Sequence, residues 1–195
     1  MAGEETKELI LQKSLELFST KGYAALSMRD LAKEVGIQSS TIYYYFKSKQ
    51  DIFNALVQKA NQLSNEMVQS FFEALNSSKK IDCKSFVKAG VFFVTGYLLN
   101  DKIAPLLQTL ESERFHNKEA DTTWQKMLFS VPISHDAKVF KLLYEKHLIK
   151  NPKAQELAIE YHGIVMLGYF TGNIKAMSVA LENFFHRVFE NTGVQ

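Results

Sequence analysis

The chain has 195 residues, of which 46% are hydrophobic and 23% are charged, and its formal net charge is only +2. This composition is typical of a globular protein, and so small a charge does not by itself indicate a nucleic-acid partner. The single cysteine, Cys83, excludes an internal disulfide bond and favours a reducing compartment. The acidic start MAGEETKE does not resemble a signal peptide, and no apolar run approaches the roughly 20 residues that span a bilayer. We therefore expect a cytoplasmic protein with no membrane partner.

Few residues break the helical pattern, since there are only nine glycines and three prolines. Apolar residues recur at helical spacing along the chain, and neither a strand pattern nor an internal repeat stands out. The first seven predicted helices cover residues 5–20, 27–35, 39–46, 49–75, 83–99, 103–115 and 119–129. Pro132 separates these from a helical segment that ends at Leu148, and the last two helices cover residues 152–171 and 174–190. The sequence therefore predicts an all-α fold, with an N-terminal three-helix head followed by a helical bundle.

Capping residues mark several of these boundaries. Ser27 with Asp30 forms a variant of the capping box, and Gly36 can adopt the positive φ of a tight turn between two helices. Similar signals stand at Ser48 with Asp51, at Asn151 with Pro152 as N-cap and first helical residue, and at Gly172 with Asn173. We expect the first domain to span residues 1–50 and the second 51–195, with the boundary inside the long helix or at the polar loop 76–80.

The predicted third helix carries three consecutive tyrosines, Tyr43, Tyr44 and Tyr45. Aromatic residues are indifferent helix formers, and neighbours on a helix point about 100° apart, so three in a row cannot all face one core. Ile42, Tyr45 and Phe46 share one face at spacings of three and four, which assigns them to the core. Tyr43 and Tyr44 are therefore expected to face outward.

The same stretch is basic and carries small hydroxyl side chains. Residues 21–49 contain five basic residues against two acidic ones, whereas the rest of the chain is close to balanced. Two short helices joined at a glycine turn form a helix-turn-helix pattern, in which the second helix enters the major groove of DNA. Hydroxyl, phenol and basic groups suit phosphates and base edges. The candidate DNA-binding residues are Arg29, Ser39, Ser40, Thr41, Tyr43, Tyr44, Lys47 and Lys49.

Residues 9–56 resemble the TetR family of one-component bacterial transcription regulators. The resemblance rests on the following runs: Leu17-Phe18, Lys21-Gly22-Tyr23, Ser27-Met28-Arg29-Asp30-Leu31-Ala32, Val35-Gly36-Ile37 and Ser40-Thr41-Ile42-Tyr43-Tyr44-Tyr45-Phe46-Lys47-Ser48-Lys49. Beyond these residues, about three quarters of the chain resemble the family only in length and helix content.

The resemblance implies a helix-turn-helix DNA-binding domain over residues 1–50 and a ligand-binding and dimerisation domain over residues 51–195. It implies a homodimer that grips a palindromic operator in double-stranded DNA, most often as a repressor, and that a small-molecule effector releases. By position in the family pattern, Thr41, Tyr43 and Lys49 are assigned to phosphate contacts. Arg29, Ser39, Ser40 and Tyr44 are assigned to the reading of bases.

Two further sets of residues come from the helical bundle. The candidates for binding a hydrophobic or aromatic effector are Phe92, Phe93, Tyr97, Phe115, Trp124, Phe140 and Tyr144. The last two helices are apolar on much of their circumference, so each must bury two sides, one in its own bundle and one on a partner. The candidates for the dimer interface are Leu157, Tyr161, Val165, Gly168, Met177, Leu181, Phe184, Phe185 and Val188. Both sets have the alternative of being ordinary core residues.

Other functions find less support in the sequence. Glu113 and His116 have the Glu-x-x-His spacing of a metal-binding helix, but a second such motif is missing, so neither a metal nor another cofactor is expected. Cys83 near a helix start is a candidate for a lowered thiol pKa, with no catalytic partner apparent. The alternatives are a helical-bundle adaptor that binds proteins, which leaves the outward tyrosines unexplained, and an enzyme without a recognisable catalytic motif.

Overall fold

The computed structural model describes residues 2–77 and 82–189, which are helical and contain no strand, so the predicted all-α class is confirmed. The helices are α1 (Ala2–Lys21), α2 (Met28–Val35), α3 (Ser39–Tyr45), α4 (Lys49–Ser77), α5 (Cys83–Phe92), α6 (Ala104–Glu113), α7 (Lys118–Gln125), α8 (Val131–Glu145), α9 (Ala154–Thr171) and α10 (Ile174–Phe189). Two π-helical segments, Phe93–Leu98 and Lys126–Ser130, continue α5 and α7. Among the described helices, none has the length and apolar character that crossing a bilayer requires.

The chain packs as two units that do not follow a single cut in the sequence. The first unit holds the described residues up to Ser64 together with Asp101–Trp124, and the second holds Asn65–Asn100 and the described residues from Gln125 onward. The sequence analysis ended the first domain at residue 50. By packing, the first unit runs further into α4, and it also takes in α6, which lies against α1.

The capping signals around α2 fix the geometry of the first unit. The Ser27 hydroxyl accepts a hydrogen bond from the Asp30 backbone N–H, and the Asp30 carboxylate accepts one from the Ser27 N–H at 2.8 Å, which is the predicted capping box. Gly36 ends α2 with φ at 79°, a left-handed conformation that glycine adopts without strain. Ser48 caps α4 through the Asp51 N–H at 3.1 Å, also as predicted.

Two predicted boundaries in the second half are wrong. Pro132 does not interrupt the helical path, because α7, the π-helical segment Lys126–Ser130 and α8 follow one another without a break and Pro132 lies in the first turn of α8. A proline in that turn needs no hydrogen-bond donor. Asn151 is not the N-cap of α9, which begins at Ala154; its side chain accepts instead from the Lys153 N–H within a turn.

Phenylalanine rings form much of the core of the second unit. Phe86 of α5 packs against Phe185 and Phe189 of α10, and Phe140 of α8 packs edge-on against Phe184. Gly168 lets α9 and α10 approach closely, because a Cβ atom there would lie 2.7 Å from the Cβ of Met177. The predicted α9–α10 junction is confirmed: Gly172 has φ of 66°, and Asn173 accepts from the Ala176 N–H.

Candidate nucleic-acid interface

A short turn sets the angle between α2 and α3. After Gly36, the Ile37 N–H returns to the Ala32 carbonyl at 2.9 Å, which closes the end of α2. Gln38 is extended, with φ of −70° and ψ of 149°, and starts α3 without a hydrogen bond from its own side chain to the helix. This helix–glycine turn–helix arrangement is the one that the sequence predicted.

Helix α3 has one buried face and one exposed face. Ile42 and Phe46 are buried, whereas Tyr44 is 75% exposed and Tyr43 is 43% exposed. The prediction that Tyr43 and Tyr44 face outward is therefore confirmed. Tyr45 is less buried than predicted: it is only half-buried, and its ring meets the Tyr44 ring edge-on at 5.0 Å.

Polar candidates surround the two tyrosines on the first unit. Ser39 and Ser40 are exposed at the start of α3, Thr41 is half-buried, and Arg29 is exposed in the first turn of α2. Lys47 is exposed just after α3, and its ammonium donates to the Tyr43 carbonyl at 3.2 Å. These side chains are therefore accessible to a partner.

Lys49 differs from the other candidates because its ammonium is engaged inside the head. It donates hydrogen bonds to the carbonyls of Tyr23 and Leu26, in the second case at 2.7 Å, and lies 4.3 Å from the centre of the Tyr23 ring. Partial burial lowers the pKa of Lys49, while the charge of Glu113 raises it. In this geometry Lys49 joins the start of α4 to the loop between α1 and α2, and its predicted phosphate contact stays a prediction.

Tyr23 is the centre of this joint, and the sequence analysis did not single it out as functional. Its ring lies 5.0 Å from the Phe18 ring and 5.3 Å from the Phe53 ring, and its hydroxyl donates to Gln50 at 2.9 Å. Burial, followed by the charge of Glu113 on α6, raises the pKa of Tyr23. Its only sequence signal was its place in the run Lys21-Gly22-Tyr23.

The aromatic residues nominated for the effector do not form one set. Phe115 and Trp124 belong to the first unit, and the other five to the second. Phe115 is 76% exposed. Trp124 is buried, and the guanidinium carbon of Arg114 lies 3.6 Å from the centre of its ring. In the second unit, Tyr97 and Phe140 are buried, and Phe93 is half-buried and stacks on Tyr97 at 5.5 Å. The remaining two lie at the surface: Phe92 and Tyr144.

The residues nominated for the dimer interface need correction, because the structure buries most of them inside a single chain. Those buried are Leu157, Val165, Gly168, Met177, Leu181, Phe184 and Phe185; Tyr161 and Val188 are half-buried. They form the inner stripe of α9 and α10, since the periodicity identifies an apolar face but not what covers it. The exposed apolar residues of the same helices are Ile159, Leu167, Phe170 and Val179. A shallow groove beside them on α10 is lined by Asn173, Lys175, Ala176, Val179, Ala180 and Asn183.

The structure also bears on two further candidates, a reactive thiol at Cys83 and a metal site. Burial raises the pKa of the Cys83 thiol, opposite to the lowering that a reactive thiolate requires. Within residues 2–77 and 82–189, no group of three or more His, Cys, Asp or Glu side chains is placed to hold a metal ion.

Comparison with known sequences finds a family match within the head. Residues 10–56 match the family described as bacterial regulatory proteins, tetR family, which confirms the resemblance predicted from the sequence. The HTH-type transcriptional regulator AcrR of Shigella flexneri is 38% identical over 53 residues, or 27% of this chain and 25% of AcrR. The negative transcriptional regulator IcaR of the biofilm operon icaADBC of Staphylococcus aureus is 34% identical over 62 residues, or 32% of this chain and 33% of IcaR. The aligned parts thus span about a quarter to a third of these relatives.

Comparison with solved structures extends the similarity of fold to nearly the whole chain. A protein described as a TetR-family transcriptional regulator of Mesorhizobium loti has a TM-score of 0.73 at 18% identity, covering 94% of this chain and 96% of that one. The complex of SmeT with triclosan also has a TM-score of 0.73, at 14% identity, covering 98% of this chain and 94% of that one. AcrR, IcaR and the Mesorhizobium loti protein are each described as transcriptional regulators.

Proposed function

We propose that this chain, whose residues 10–56 form a TetR-family helix-turn-helix domain, is a transcriptional repressor that binds a palindromic operator as a homodimer and is released by a small effector. The observation that carries the proposal is the exposed face of α3. Two large aromatic side chains, Tyr43 and Tyr44, stand in water there while Ile42 and Phe46 anchor the opposite side of the helix. Exposed aromatic side chains contribute little to the stability of a fold, whereas on a DNA-binding helix they can contact the DNA.

The proposed contacts follow from the chemistry of each exposed side chain. Thr41, Tyr43 and Lys47 donate hydrogen bonds or charge to phosphates and set the register on the duplex. Ser39, Ser40 and Tyr44 on α3, and Arg29 on α2, are exposed and read base edges or thymine methyl groups. Lys49 is left out of the contact set, because its ammonium is engaged with the carbonyls of Tyr23 and Leu26.

Gln38 is added to the set of base-reading residues. It is exposed, and its side chain makes no capping hydrogen bond with α3, so its amide is available at the end of the helix that contacts bases in helix-turn-helix complexes. A glutamine amide can donate to N7 and accept from N6 of one adenine. Gln38 therefore favours an adenine in each half-site.

The proposed dimer uses the outer faces of α9 and α10 instead of the inner stripe. Leu167 is 66% exposed and lies with Ile159 and Phe170 on one side of α9, and Val179 is exposed on α10. Gly163 has open space over its Cα within one chain, which permits close approach of a second helix. Two helices from each protomer, packed about a two-fold axis, would cover these apolar side chains.

The proposed effector is a hydrophobic or aromatic small molecule bound in the second unit. The stacked rings of Phe93 and Tyr97 support this, as does the likeness in fold to SmeT, which was solved with triclosan. The effector acts by population shift, because it binds best to a dimer whose two heads no longer match major grooves about 34–36 Å apart.

A footprint on the DNA upstream of the protein's own gene tests the proposal. We expect a protected palindrome at low salt, with affinity falling steeply as salt rises, because phosphate contacts release counterions. Replacing Tyr43 by alanine should weaken binding to all sequences alike, while Tyr44→Ala should change the preferred sequence. Absence of any protected palindrome in that DNA, or a protein that stays monomeric, would contradict the proposal.

A further inference from the structure

A histidine and an aspartate meet in the interior of the second unit, and the proposed function uses neither. His162 of α9 is 2% exposed. Its Nε2 atom lies 2.6 Å from the Leu128 carbonyl oxygen, and its Nδ1 atom lies 3.3 Å from Oδ2 of Asp136 on α8. One buried imidazole therefore connects the π-helical segment Lys126–Ser130 with α8 and α9.

The Leu128 carbonyl fixes which nitrogen of His162 carries a hydrogen. A carbonyl oxygen only accepts hydrogen bonds, so at 2.6 Å the Nε2 atom must be protonated and donate. Pro132, four residues after Leu128, has no N–H and therefore cannot donate to this carbonyl.

The second nitrogen of His162, Nδ1, then faces Asp136 with no hydrogen-bond donor between the two groups. In a neutral imidazole protonated at Nε2, the Nδ1 atom is an acceptor, and an ionised carboxylate is also an acceptor. Two acceptors 3.3 Å apart repel each other unless a proton lies between them. Oδ2 of Asp136 is buried and has no hydrogen-bond partner among the described residues, so a proton at this position would supply the missing donor.

We propose that Asp136 and His162 form a proton-binding site that holds one shared proton in the folded second unit. The proton joins α8 to α9, and its loss leaves two buried acceptors facing each other. The stability of the second unit is thereby linked to pH through this pair.

Aromatic rings flank the pair on two sides. The rings of Phe93 and Phe129 each lie 6.2 Å from the imidazole and make its walls apolar. Burial raises the pKa of Asp136, while His162 and His135 lower it. On the same helix, burial and Lys138 lower the pKa of His135, and on α9 burial, followed by the charge of Asp136, raises the pKa of Tyr161 well above its usual value.

The sign of the pH dependence follows from linkage. In the unfolded chain an ordinary histidine releases its proton near pH 6.5, while aspartate is ionised above about pH 4. Burial raises the pKa of Asp136, so the folded pair keeps a proton that the unfolded aspartate would release. The stabilisation is therefore complete below the unfolded aspartate value and is lost as the pH rises through the folded value. Protons leave the pair in steps that belong to both residues together.

Nitrogen-15 spectra of the histidine side chains in the full chain test the site directly. We expect one histidine whose Nε2 stays protonated from pH 6 to pH 9, because that nitrogen donates to the Leu128 carbonyl. A buried histidine protonated only at Nδ1 would overturn the proposal, because Nε2 could not then donate to Leu128.

Urea unfolding at the same pH values provides the second measurement. For the wild-type chain, we expect the unfolding equilibrium constant to rise by up to tenfold per pH unit where the pair loses its proton. Asp136→Asn should remove this slope, because the amide N–H₂ can donate to Nδ1 at every pH. His135→Gln is the matched control on α8 and should keep the slope. Equal slopes in the wild type and Asp136→Asn would overturn the proposal, and if Asp136→Asn fails to fold, the spectra of the wild type still decide.

Discussion

Replacing Lys49 by alanine should destabilise the first unit, although the residue lies in the stretch that matches a DNA-binding domain. The substitution removes two hydrogen bonds from the ammonium to the carbonyls of Tyr23 and Leu26 and its contact with the Tyr23 ring. Those interactions connect the start of α4 to the loop after α1. Lys47→Ala is the matched control, because Lys47 is exposed and its hydrogen bond reaches only the Tyr43 carbonyl, four residues earlier.

The expected loss of unfolding free energy in Lys49→Ala is smaller than the summed contributions of the two lost hydrogen bonds. Hydrogen bonds to charged groups contribute about 1.5–3 kcal/mol each, which would give roughly 3–6 kcal/mol for two. Partial burial lowers the pKa of Lys49, so part of that gain offsets the cost of removing its charge from water. Water can also reach the freed carbonyls. We therefore expect a loss of about 2–3 kcal/mol, against less than about 0.5 kcal/mol for Lys47→Ala.

Urea unfolding and DNA binding, measured on the wild type and on each of these variants, separate the structural role of Lys49 from a DNA-contacting role. With a urea m-value of about 1–3 kcal/mol/M, the midpoint for Lys49→Ala should fall by about 1 M or more. Lys49→Met keeps the apolar stem and removes only the ammonium, so it should lose most of the same stability. Suppose instead that Lys49→Ala unfolds like the wild type and binds all DNA sequences more weakly, with a smaller salt slope. The lysine would then be a phosphate contact, and the reasoning from its hydrogen bonds would be refuted.

Three further changes test other parts of the structure. Leu167→Asp should convert the dimer to a monomer in analytical ultracentrifugation and abolish operator binding, whereas Phe115→Asp, at a similarly exposed apolar residue, should leave the dimer intact. Gln38→Ala should remove the preference for adenine at one position per half-site in binding-site selection, worth about 1–3 kcal/mol, and an unchanged preference would exclude Gln38 from base reading. Gly168→Ala should cost about 1–3 kcal/mol in urea unfolding, because the new Cβ would lie 2.4 Å from the Met177 sulfur. Gly163→Ala, made together with Leu167→Asp so that no partner covers it, should not destabilise.

The helix-turn-helix could be predicted from the sequence because its determinants are local. The capping pair Ser27 and Asp30, the left-handed Gly36 and the outward tyrosines each depend on residues within a few positions of one another. A wider family pattern then matched the same stretch. Such features can be predicted before the fold is known, since the neighbours that decide them are already adjacent in the chain.

The features that were missed depend on residues distant in the chain. The ammonium of Lys49 meets carbonyls more than twenty positions earlier, and neither partner carries a side-chain signal. The helix continues through Pro132 because this proline lies in the first turn of α8, where a backbone N–H is not needed. The Leu128 carbonyl is hydrogen-bonded by His162, which is distant in the chain. α9 is apolar on both faces, so periodicity alone could not decide which of its stripes faces inward.

The composition of the first unit has a consequence for building hybrid regulators. An exchange of DNA specificity between two such proteins would ordinarily transplant an N-terminal fragment, as the sequence division at residue 50 suggests. Here the α1 surface is completed by α6, whose Leu106 and Leu110 are buried, and α6 lies within Asp101–Trp124, far along the chain. A chimera that takes only the N-terminal fragment would place α1 against a foreign helix. The transferable module is therefore two separate segments of sequence, and both must come from the same parent.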